Sequence, residues 1–583
     1  MIGPDGNLCE EGTSVARAGN SESGTIAYFS MELGLDPAMP TYSGGLGVLA
    51  GDTLRTAADS GIPMVGVTLL HRKGYFRQHL DARGNQSESA AVWSPEDYLE
   101  PLQARVSVEI EGRRVYIIAW RYGINGISGR RVSVYFLDTS LPENSPRDQT
   151  LTDYLYGGDD RYRLCQEVVL GFGGIAMLRA LGHKNVHVYH MNEGHAALLT
   201  LALVEERIGM DRLSLISQAD REAVRRQCVF TNHTPVPVAH DQFPMDLVRN
   251  VLGEQWGSAI RTAECCLNET LNMTHLALIF SRYINGVSMR HEEISRTMFP
   301  NYPVNSITNG VNALTWTSAP FQRLYDRHIP EWRHDNMYLR YAVGIPLEEI
   351  KGAHAEAKQE LLAEVDRRTG MRLDPAVMTL GFARRAAAYK RADLLFSDME
   401  RLKGIARQVG RLQVIYGGKA HPRDEGGKAH IRRVFEAANA LRDTLPVVYL
   451  EGYDMTLAGY LCAGVDVWLN TPQKPWEASG TSGMKAALNG VPSLSVLDGW
   501  WIEGCVEGVT GWAIGDSWKA ESNPSKEVAS IYDKLTYLIV PLFYERPEQF
   551  AEVMRSAITI NASFFNAQRM MVQYLQNAYL ASE

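Results

Sequence analysis

Short apolar runs that recur along the chain constrain its fold more than any other feature. Eight of them have the length and composition of buried parallel strands: TIAYFS, PMVGVTLL, NVHVYHMN, QCVFTNH, VMTLGFA, LQVIYGG, PVVYLEGY and VDVWLN. Amphipathic helical stretches lie between many of these runs, and this alternation predicts an α/β protein. In such folds ligands bind beyond the carboxyl ends of the strands, so we expect functional residues directly after the runs.

The spacing of the runs predicts two Rossmann-like lobes. A loop-rich stretch that ends in PNYPVNSITNGVN separates the fourth run from the fifth, and its prolines and Asn-Gly are typical of a junction. The start of the chain is polar and lacks periodicity, while its end has the pattern of helices with no following strand. We predict a flexible tail at 1–24, a first lobe at 25–310, a second lobe at 311–560, and a last helix at 561–583 that packs back on the first lobe.

Composition and charge exclude several classes of protein. The chain has 583 residues and a net charge of −9, which removes the general attraction that a nucleic-acid or anionic-membrane binder needs. Its seven cysteines are scattered without CxxC spacing, so we expect reduced thiols, no disulfide framework and no metal site. The start of the chain is polar, and the longest apolar run, 168–178, is too short to span a bilayer. We therefore expect a cytoplasmic protein.

The segment KPWEASGTSGMKAALNG, residues 474–490, is the sharpest motif. A loop of glycine, serine and threonine runs into a helix, and the backbone N–H groups there, with the Thr481 and Ser482 hydroxyls, can bind an anion. Lys485 falls in the first turn of this helix, where the helix dipole disfavours a cation unless a negative group lies close. The pattern predicts a phosphate beside a lysine; the alternative is an ordinary helix start with an exposed lysine.

A second cationic motif, GFARRAAAYKR, follows the fifth run. It places four cations within eight positions, and arginine and lysine together bind phosphate oxygens well: Arg384, Arg385, Lys390 and Arg391. We expect a helix to begin around Ala387, with the strand-to-helix turn bringing Arg385 and Lys390 together. A solvated charged surface is the alternative.

The first half of the chain offers weaker signals. TYSGGLG brings Gly44 and Gly45 before a predicted helix, which favours a close backbone approach to an anion or a sugar. A dinucleotide site is disfavoured because no acidic residue follows at the required distance. His233 follows the fourth run, where prolines prevent an immediate helix. His190, Glu193 and His195 do not have a metal-binding spacing, so polar lining of a sugar site is the better interpretation.

Five motifs, taken together and in chain order, carry a family resemblance. YSGGLG, TNHTPVP, SITNGVN, GFARRAAAYKR and EASGTSGMKAALNG resemble the α-glucan (glycogen, starch and maltodextrin) phosphorylases, particularly their short bacterial and archaeal branch. The resemblance covers about Thr25 to Glu503. It implies a glycosyltransferase-B architecture of two Rossmann-like lobes, with the active site in the cleft between a glucan-binding first lobe and a second lobe that binds pyridoxal 5′-phosphate.

The resemblance also implies roles for individual residues. Lys485 would hold pyridoxal phosphate, with further cofactor contacts from Thr481, Ser482, Tyr453 and Arg384. Inorganic phosphate would be bound by Arg385, Lys390 and the backbone of Gly44 and Gly45. The glucosyl unit would be bound by His233, Asn309, Glu477, Ser479 and Gly480. The catalytic residues would be Lys485, Arg385, Lys390 and His233.

The implied reaction is a reversible, retaining phosphorolysis of terminal α-1,4-linked glucose that gives α-D-glucose 1-phosphate. The substrates would be an α-glucan or maltodextrin and inorganic phosphate, and the phosphate group of the cofactor rather than its ring would take part in proton transfer. This sequence departs from the long members at Ala387 and Ala388, where they carry a His-Glu pair, and in its GTSGM loop. Three points stay open: monomer or homodimer, a nucleotide-sugar glucosyltransferase of the same fold, and a non-catalytic glucan-binding protein.

Overall fold

The computed structural model describes residues 24–236, 240–262 and 265–580. Residues 1–23 of the predicted tail lie outside these ranges. One sheet has nine strands, in the spatial order Val304–Ser306, Tyr283–Gly286, Cys228–Thr231, Val186–Asn192, Thr25–Phe29, Met64–Leu69, Arg131–Asp138, Arg113–Asn125 and Glu100–Ile110. Pairing is parallel as far as Arg131–Asp138, and the last two strands pair antiparallel. We call it the N-terminal sheet.

The C-terminal sheet has six parallel strands, in the spatial order Val447–Leu450, Leu412–Gly417, Met378–Ala383, Val467–Asn470, Ser493–Val496 and Gly511–Ile514. The chain enters at Met378–Ala383, builds outward on one side, and returns at Val467–Asn470 to build the other side. This is the order of a doubly wound dinucleotide-type fold, in which ligands bind where the strand order reverses. The reversal lies between Met378–Ala383 and Val467–Asn470.

The α/β prediction is confirmed, because all eight apolar runs form strands of the two parallel sheets. The prediction missed the long antiparallel strands between residues 100 and 138. In Glu100–Ile110 and Arg113–Asn125 more exposed side chains alternate with more buried ones, so these two strands do not form the continuous apolar runs that predict a buried strand. Small additional strands are Arg77–Leu80 with Gln86–Ser89, and Gln242–Pro244 with Thr270–Asn272 and Cys266–Leu267.

Helices cover the sheets and connect their strands. The α-helices of the described ranges are Gly45–Asp59, Asp160–Val168, Gly174–Ala180, Leu198–Ile208, Gln218–Arg225, Met245–Leu252, Glu254–Thr262, Met273–Ile279, Met289–Met298, Ala313–Trp316, Ala319–His328, Leu347–Thr369, Met399–Gln408, Glu425–Leu441, Met455–Gly464, Ser482–Ala487, Trp501–Gly504, Pro524–Lys534, Val540–Glu545, Pro547–Ser556 and Ala567–Tyr574. None of them is long and apolar enough to cross a membrane.

The end of the chain packs against the N-terminal sheet. The Tyr579 hydroxyl lies 2.6 Å from His190 Nδ1, and the Tyr574 hydroxyl lies 3.0 Å from Thr231 Oγ1. Arg569 donates from Nη1 to the Thr308 carbonyl at 2.6 Å. Each of these side chains is buried. The last helices therefore connect the two sheets through hydrogen bonds to loops and strands of the first one.

Candidate functional site

The residues that follow the strands of the two sheets contact one another. Ser288 Oγ, after the strand Tyr283–Gly286, donates to the Ala478 carbonyl at 2.7 Å. The Met455 N–H donates to the Tyr42 hydroxyl oxygen at 2.9 Å. The carboxyl ends of both parallel sheets thus face a shared region, which we call the cleft.

A buried carboxylate with two cationic partners lies at the strand-order reversal of the C-terminal sheet. Glu477 accepts from Lys390 Nζ at 2.6 Å and from Arg384 Nη2 at 2.6 Å. Arg384 also donates to Asn470 Oδ1, at the end of the neighbouring strand. Burial alone raises the pKa of Glu477, but the two cations outweigh it and lower the pKa to about 2. We call Arg384, Lys390 and Glu477 the ion triad.

Lys485 follows Glu477 in the same sequence motif, but its side chain has a different environment. It is 7% exposed, and its Nζ atom lies 3.7 Å from the centre of the Trp316 ring. Within the described ranges this amine has neither a hydrogen bond nor an ion pair. Burial lowers its pKa, and the negative charge of Asp52 partly opposes that effect. A buried amine that is easily deprotonated and has no fixed partner is suited to reacting with a carbonyl compound.

Two residues of the predicted cofactor and sugar site have buried polar atoms without a hydrogen bond, and one of them lies in the loop before Lys485. The helix Ser482–Ala487 begins after Gly480, whose φ of +86° favours glycine. Within the described ranges, Ser479 Oγ is buried and makes no hydrogen bond, and the same holds for Arg384 Nε. Thr481 is partly exposed. The helix is shorter than the motif suggested, and Ser482 Oγ accepts from Trp468 Nε1 at 3.2 Å rather than facing open space.

Tyr453 and Asn309 complete the predicted binding residues on either side of the cleft. Burial raises the pKa of the Tyr453 hydroxyl, and Arg384 is one of the charges close to it. Asn309 is 3% exposed; its carbonyl accepts from Arg569 Nη2 at 2.9 Å, while its side-chain Oδ1 has no partner within the described ranges.

His233 is held at the carboxyl edge of the N-terminal sheet. Its Nε2 lies 2.6 Å from Asn192 Oδ1, and its backbone N–H donates to Glu193 Oε2 at 2.8 Å. Burial, followed by the nearby His291, lowers the pKa of His233 to about 3. The imidazole is therefore neutral at ordinary pH. Glu193 has a φ of +91°, a strained conformation for a residue with a side chain, and such strain is concentrated at functional sites.

Glu32 is a residue that the sequence reasoning missed. Its buried carboxylate accepts from the Ser43 N–H at 2.6 Å, from the Gly44 N–H at 3.3 Å and from the Tyr156 hydroxyl at 2.9 Å. A Cβ on Gly47 would lie 2.7 Å from Glu32 Oε2, so the close approach at this glycine is to the protein itself. The sequence contained one indication of this role: Glu32 is an acidic residue three positions after the buried strand Thr25–Phe29.

The glycine loop leaves the start of a long helix accessible. Gly45 begins the helix Gly45–Asp59 and is exposed, and a Cβ on Gly44 or Gly45 would meet no atom within 4 Å. The helix has no side-chain cap and no acidic residue in its first turn. Glu32 already accepts from the Gly44 N–H, so an anion at this helix start could bind only to the N–H groups that follow Gly44.

The predicted helix beginning around Ala387 is wrong. A short 3-10 turn spans Ala388–Lys390, and Arg391 then takes a φ of +47°, which a continuing helix does not allow. The Ala386 N–H donates to the Lys419 carbonyl at 2.8 Å, which holds this segment extended beside the next strand. Arg391 leaves the cleft and donates to the Pro472 carbonyl at 2.6 Å.

Arg385 has different neighbours from Lys390. The structure pairs Lys390 with Glu477, whereas the exposed Arg385 lies with its charge close to Tyr75 and Glu32 of the first half of the chain. Burial raises the pKa of the Tyr75 hydroxyl, and Arg385 partly opposes that effect. Tyr389 has contacts with both residues: its ring centre is 4.3 Å from Lys390 Nζ, and its hydroxyl is one of the groups that raise the pKa of Arg385.

A cavity of about 320 Å³ is lined in part by aromatic side chains, and two of these, Tyr75 and His421, have the charge of Arg385 nearby. Tyr75 packs on Phe76 at 4.4 Å between ring centres and on Tyr156 at 6.5 Å. Tyr154 and His421 complete the aromatic lining, and Glu88 provides a polar rim. Aromatic walls with a few polar groups suit the alternating apolar and hydroxyl-bearing faces of a sugar.

Asp498 accepts a hydrogen bond from the backbone of the ion triad, and its raised pKa leads to a testable prediction about stability. Its Oδ2 accepts from the Glu477 N–H at 2.9 Å, and burial raises its pKa to about 7. The folded state therefore retains this proton more tightly than the unfolded chain, whose aspartates titrate near pH ~3.9. The resulting stability is present below that pH and is lost as the pH rises through 7.

We expect Asp498→Asn to remove this pH dependence, because asparagine stays neutral and its oxygen can still accept from Glu477. The melting temperature of the variant relative to the original should rise between pH 4 and pH 8, by an amount equivalent to about 2–4 kcal/mol. The exposed Asp443→Asn is the control. If the melting temperatures of Asp498→Asn and the original protein change with pH in the same way, the raised pKa of Asp498 is contradicted.

The fold and this cleft define a class of protein: the α/β proteins, in which ligands bind beyond the carboxyl ends of parallel strands. Comparisons with known proteins specify that class further. A carbohydrate phosphorylase family model matches residues 254–511. Maltodextrin phosphorylase of Thermococcus litoralis is 38% identical, and the match covers 95% of this chain and 70% of that protein.

Two further relatives match with similar coverage of this chain. Glycogen phosphorylase of Aquifex aeolicus is 34% identical over 95% of this chain and 86% of its own length. An uncharacterized protein of Methanocaldococcus jannaschii is 30% identical over 95% of this chain and 99% of its own length. The chain therefore belongs to the carbohydrate phosphorylase family, and the resemblance inferred from its motifs is confirmed.

Proposed function

We propose that this protein is a pyridoxal-phosphate-dependent α-glucan phosphorylase, which transfers the terminal α-1,4-linked glucosyl unit of a glucan to inorganic phosphate with retention. The observation that carries the proposal is a buried Lys485 amine whose contact is the Trp316 ring and which has no hydrogen bond or ion pair within the described ranges. Relatives named maltodextrin phosphorylase and glycogen phosphorylase support the choice of substrate.

The residues around Lys485 fit pyridoxal phosphate. Lys485 would hold the cofactor, and Trp316 would pack beneath it. The unpartnered Ser479 Oγ and Arg384 Nε, together with the Thr481 hydroxyl, are groups that could hydrogen-bond to its phosphate and nearby water. Ser482 and Tyr453 border the same space in this proposal. When bound, the cofactor supplies a phosphate group that can accept and donate a proton near the substrate phosphate.

Inorganic phosphate would bind between the exposed Arg385 and the start of the helix Gly45–Asp59. Arg385 offers two parallel N–H donors, and the helix offers free N–H groups and a partial positive charge. Lys390 would add a third positive charge when Glu477 turns toward the sugar. These fixed donors would stabilise the charge that develops as the glycosidic bond breaks.

The glucosyl unit would lie between the two sheets, next to the phosphate. The neutral His233, the free Asn309 Oδ1, and Ser479 and Gly480 provide donors and acceptors for its hydroxyl groups. Glu477 would accept a hydrogen bond from a further hydroxyl group, because its lowered pKa keeps the carboxylate ionised. The aromatic cavity beside Arg385 would then bind the rest of the glucan chain.

The two-lobed glycosyltransferase-B arrangement with an inter-lobe active site belongs to this proposal. It is supported by the hydrogen bonds between residues that follow strands of the two sheets. The lobe boundaries near residues 24, 310 and 560, the cytoplasmic location and the choice between monomer and homodimer stay predictions.

An activity assay with the cofactor-loaded protein tests the proposal. Maltodextrin and inorganic phosphate should give α-D-glucose 1-phosphate, and the reverse direction should release phosphate. Transfer from ADP-glucose or UDP-glucose without phosphorolysis would favour a nucleotide-sugar glucosyltransferase instead. Maltodextrin binding without turnover in either direction would favour a binding protein.

Tyr154→Ala tests the place of the glucan chain. Tyr154 lines the aromatic cavity and is 39% exposed, so its removal should not disturb the core. We expect the KM for maltodextrin to rise about three- to tenfold, because stacking area is lost, while the KM for phosphate stays unchanged. Tyr154→Phe keeps the ring and should behave like the original protein. An unchanged KM for maltodextrin in Tyr154→Ala would contradict this placement.

A further inference from the structure

Asp52 is a buried carboxylate on the helix Gly45–Asp59, and it contacts the segment that carries Trp316. Its Oδ2 atom accepts from the Trp316 Nε1–H at 2.8 Å and from the Asn312 N–H at 3.2 Å. Arg55, one turn further along the same helix, lies 3.4 Å from its other oxygen. Burying a carboxylate is costly unless cations and donors face it. Asp52 nevertheless has no part in the binding roles proposed for phosphate, sugar or cofactor.

The Trp316 ring links Asp52 to the Lys485 amine. Asp52 holds the indole by its N–H, and Lys485 Nζ lies 3.7 Å from the centre of the ring. Trp316 is 3% exposed and Lys485 is 7% exposed, so both groups lie largely away from water. An indole whose N–H donates to a carboxylate becomes more electron-rich, which strengthens its attraction for an ammonium. The carboxylate, the indole and the amine therefore form a series of direct contacts.

A buried asparagine fixes the backbone on both sides of this series. Asn489 Nδ2 donates to the Trp316 carbonyl at 2.9 Å and to the Lys485 carbonyl at 3.0 Å. Its Oδ1 atom accepts from the Ser318 N–H at 2.8 Å. The backbones of Trp316 and Lys485 are thus held close together, and the hydrogen bond to Asp52 then fixes the orientation of the indole.

The charged and titratable groups near Lys485 lie on two helices: Asp52 and Arg55 on one, and Cys462 on another. Burial lowers the pKa of Lys485, and Asp52 is the group that opposes this effect most. Burial raises the pKa of Asp52, and Lys485 and Arg55 oppose that effect in turn. Asp52 and Lys485 therefore each favour the charged form of the other.

We propose that Asp52 is a positioning residue for Lys485: it holds the Trp316 indole against the amine and faces the amine with its negative charge. This role rests on the proposed function, because Lys485 is the residue that would hold pyridoxal phosphate. The helix Gly45–Asp59 also begins at the proposed phosphate site, about 10 Å from Asp52 at about 1.5 Å per residue. One helix thus fixes the position of the lysine relative to that of the substrate phosphate.

NMR of the full-length protein, with lysine labelled by ¹³C at Cε and before cofactor is added, tests this role. An indole shields the protons above its face, so the Lys485 Hε signal should lie upfield of the signals of exposed lysines. Its absence from Lys485→Arg assigns it. The change of this signal with pH gives the titration midpoint of the amine, which should lie below that of an ordinary lysine.

Two substitutions separate the charge of Asp52 from its hydrogen bond. Asp52→Asn keeps an oxygen for the Trp316 N–H but removes the charge, so the upfield shift should remain while the midpoint falls by about one pH unit. Asp52→Leu also removes the acceptor, and more than half of the upfield shift should then be lost. An unchanged midpoint in Asp52→Asn, or a full upfield shift in a folded Asp52→Leu, would overturn the role of Asp52. If Asp52→Leu does not fold, the midpoint in Asp52→Asn decides.

Asp59→Asn is the matched control. Asp59 lies on the same helix and accepts from Asn312 Nδ2 at 3.1 Å, but the Trp316 N–H donates to Asp52. Its neutralisation should leave the midpoint and the upfield shift of Lys485 unchanged, and an effect equal to that of Asp52→Asn would refute a specific role of Asp52. Loading with pyridoxal phosphate is measured separately. Retained cofactor with an unchanged midpoint in Asp52→Asn refutes only the role of Asp52, whereas the expected NMR changes without any covalent cofactor on Lys485 support that role and refute the proposed function.

Discussion

Lys485→Ala is expected to abolish the formation of α-D-glucose 1-phosphate and the retention of pyridoxal phosphate together. The amine is the only part of Lys485 that can hold the cofactor, and a misplaced reacting group typically costs about 100-fold or more in rate. After loading, extensive dialysis and borohydride reduction, mass mapping should find the modification on Lys485 in the original protein and none in the variant. Absorbance spectra provide the same comparison without activity.

Lys474→Met is the matched control for this experiment. Lys474 lies in the same sequence motif, but its ammonium donates to the Ser517 carbonyl at 2.8 Å. We expect this variant to retain the cofactor and to remain active. Lys485→Ala should lower the melting temperature, because it removes a buried side chain and the positive charge near Asp52, and a cooperative melting curve checks that the variant is folded. A Lys485→Ala protein that retains covalent cofactor would refute the assignment.

Glu477→Gln is expected to cause the largest loss of stability, about 3–5 kcal/mol, because it leaves the buried cations Arg384 and Lys390 without their counter-charge. The pKa of Glu477, lowered to about 2, means that its stabilisation is present above the pKa of an unfolded glutamate and is lost as the pH falls toward 2. Urea unfolding at neutral pH measures the difference directly.

Glu503→Gln is the matched control for the ion triad. Glu503 is partly buried, and among the described residues its carboxylate accepts from two neutral donors, the Thr308 hydroxyl and the Met289 N–H. Its neutralisation should cost much less. Inorganic phosphate should restore more stability to Glu477→Gln than to Glu503→Gln, since the anion can bind the two free cations. Equal stability of the two variants would show that the triad has little energetic role.

The sequence predicted the structure best where a local residue pattern is compatible with only one kind of secondary structure. Continuous apolar runs predicted the buried parallel strands, because a strand that is covered on both faces has no polar positions. The order of the motifs identified the family. The alternating strands between residues 100 and 138 were missed, because their pattern depends on which face the rest of the protein covers.

In the candidate site, too, some features were predicted from local motifs and others were determined by contacts between distant segments. The motif around Lys485 placed the lysine after a glycine-rich turn, and the chain does turn there at Gly480. By contrast, the helix expected around Ala387 depended on local propensity, and the hydrogen bond from the Ala386 N–H to the carbonyl of Lys419, which follows the strand Leu412–Gly417, holds the segment extended instead. Glu32 could not be assigned from local sequence, since its partners Ser43 and Tyr156 are distant from one another along the chain.

By itself the sequence determined the α/β class, the strands of the parallel sheets and the family, because these follow from periodicity and from motifs read along the chain. Only the tertiary structure decided that Lys390 forms an ion pair with Glu477, and that the Lys485 amine lies against the Trp316 ring without a hydrogen bond or ion pair within the described ranges. Such pairings depend on burial and charge at distances of a few ångströms between segments distant in sequence. Electrostatic interactions of that kind are set by the folded environment and not by local residue order.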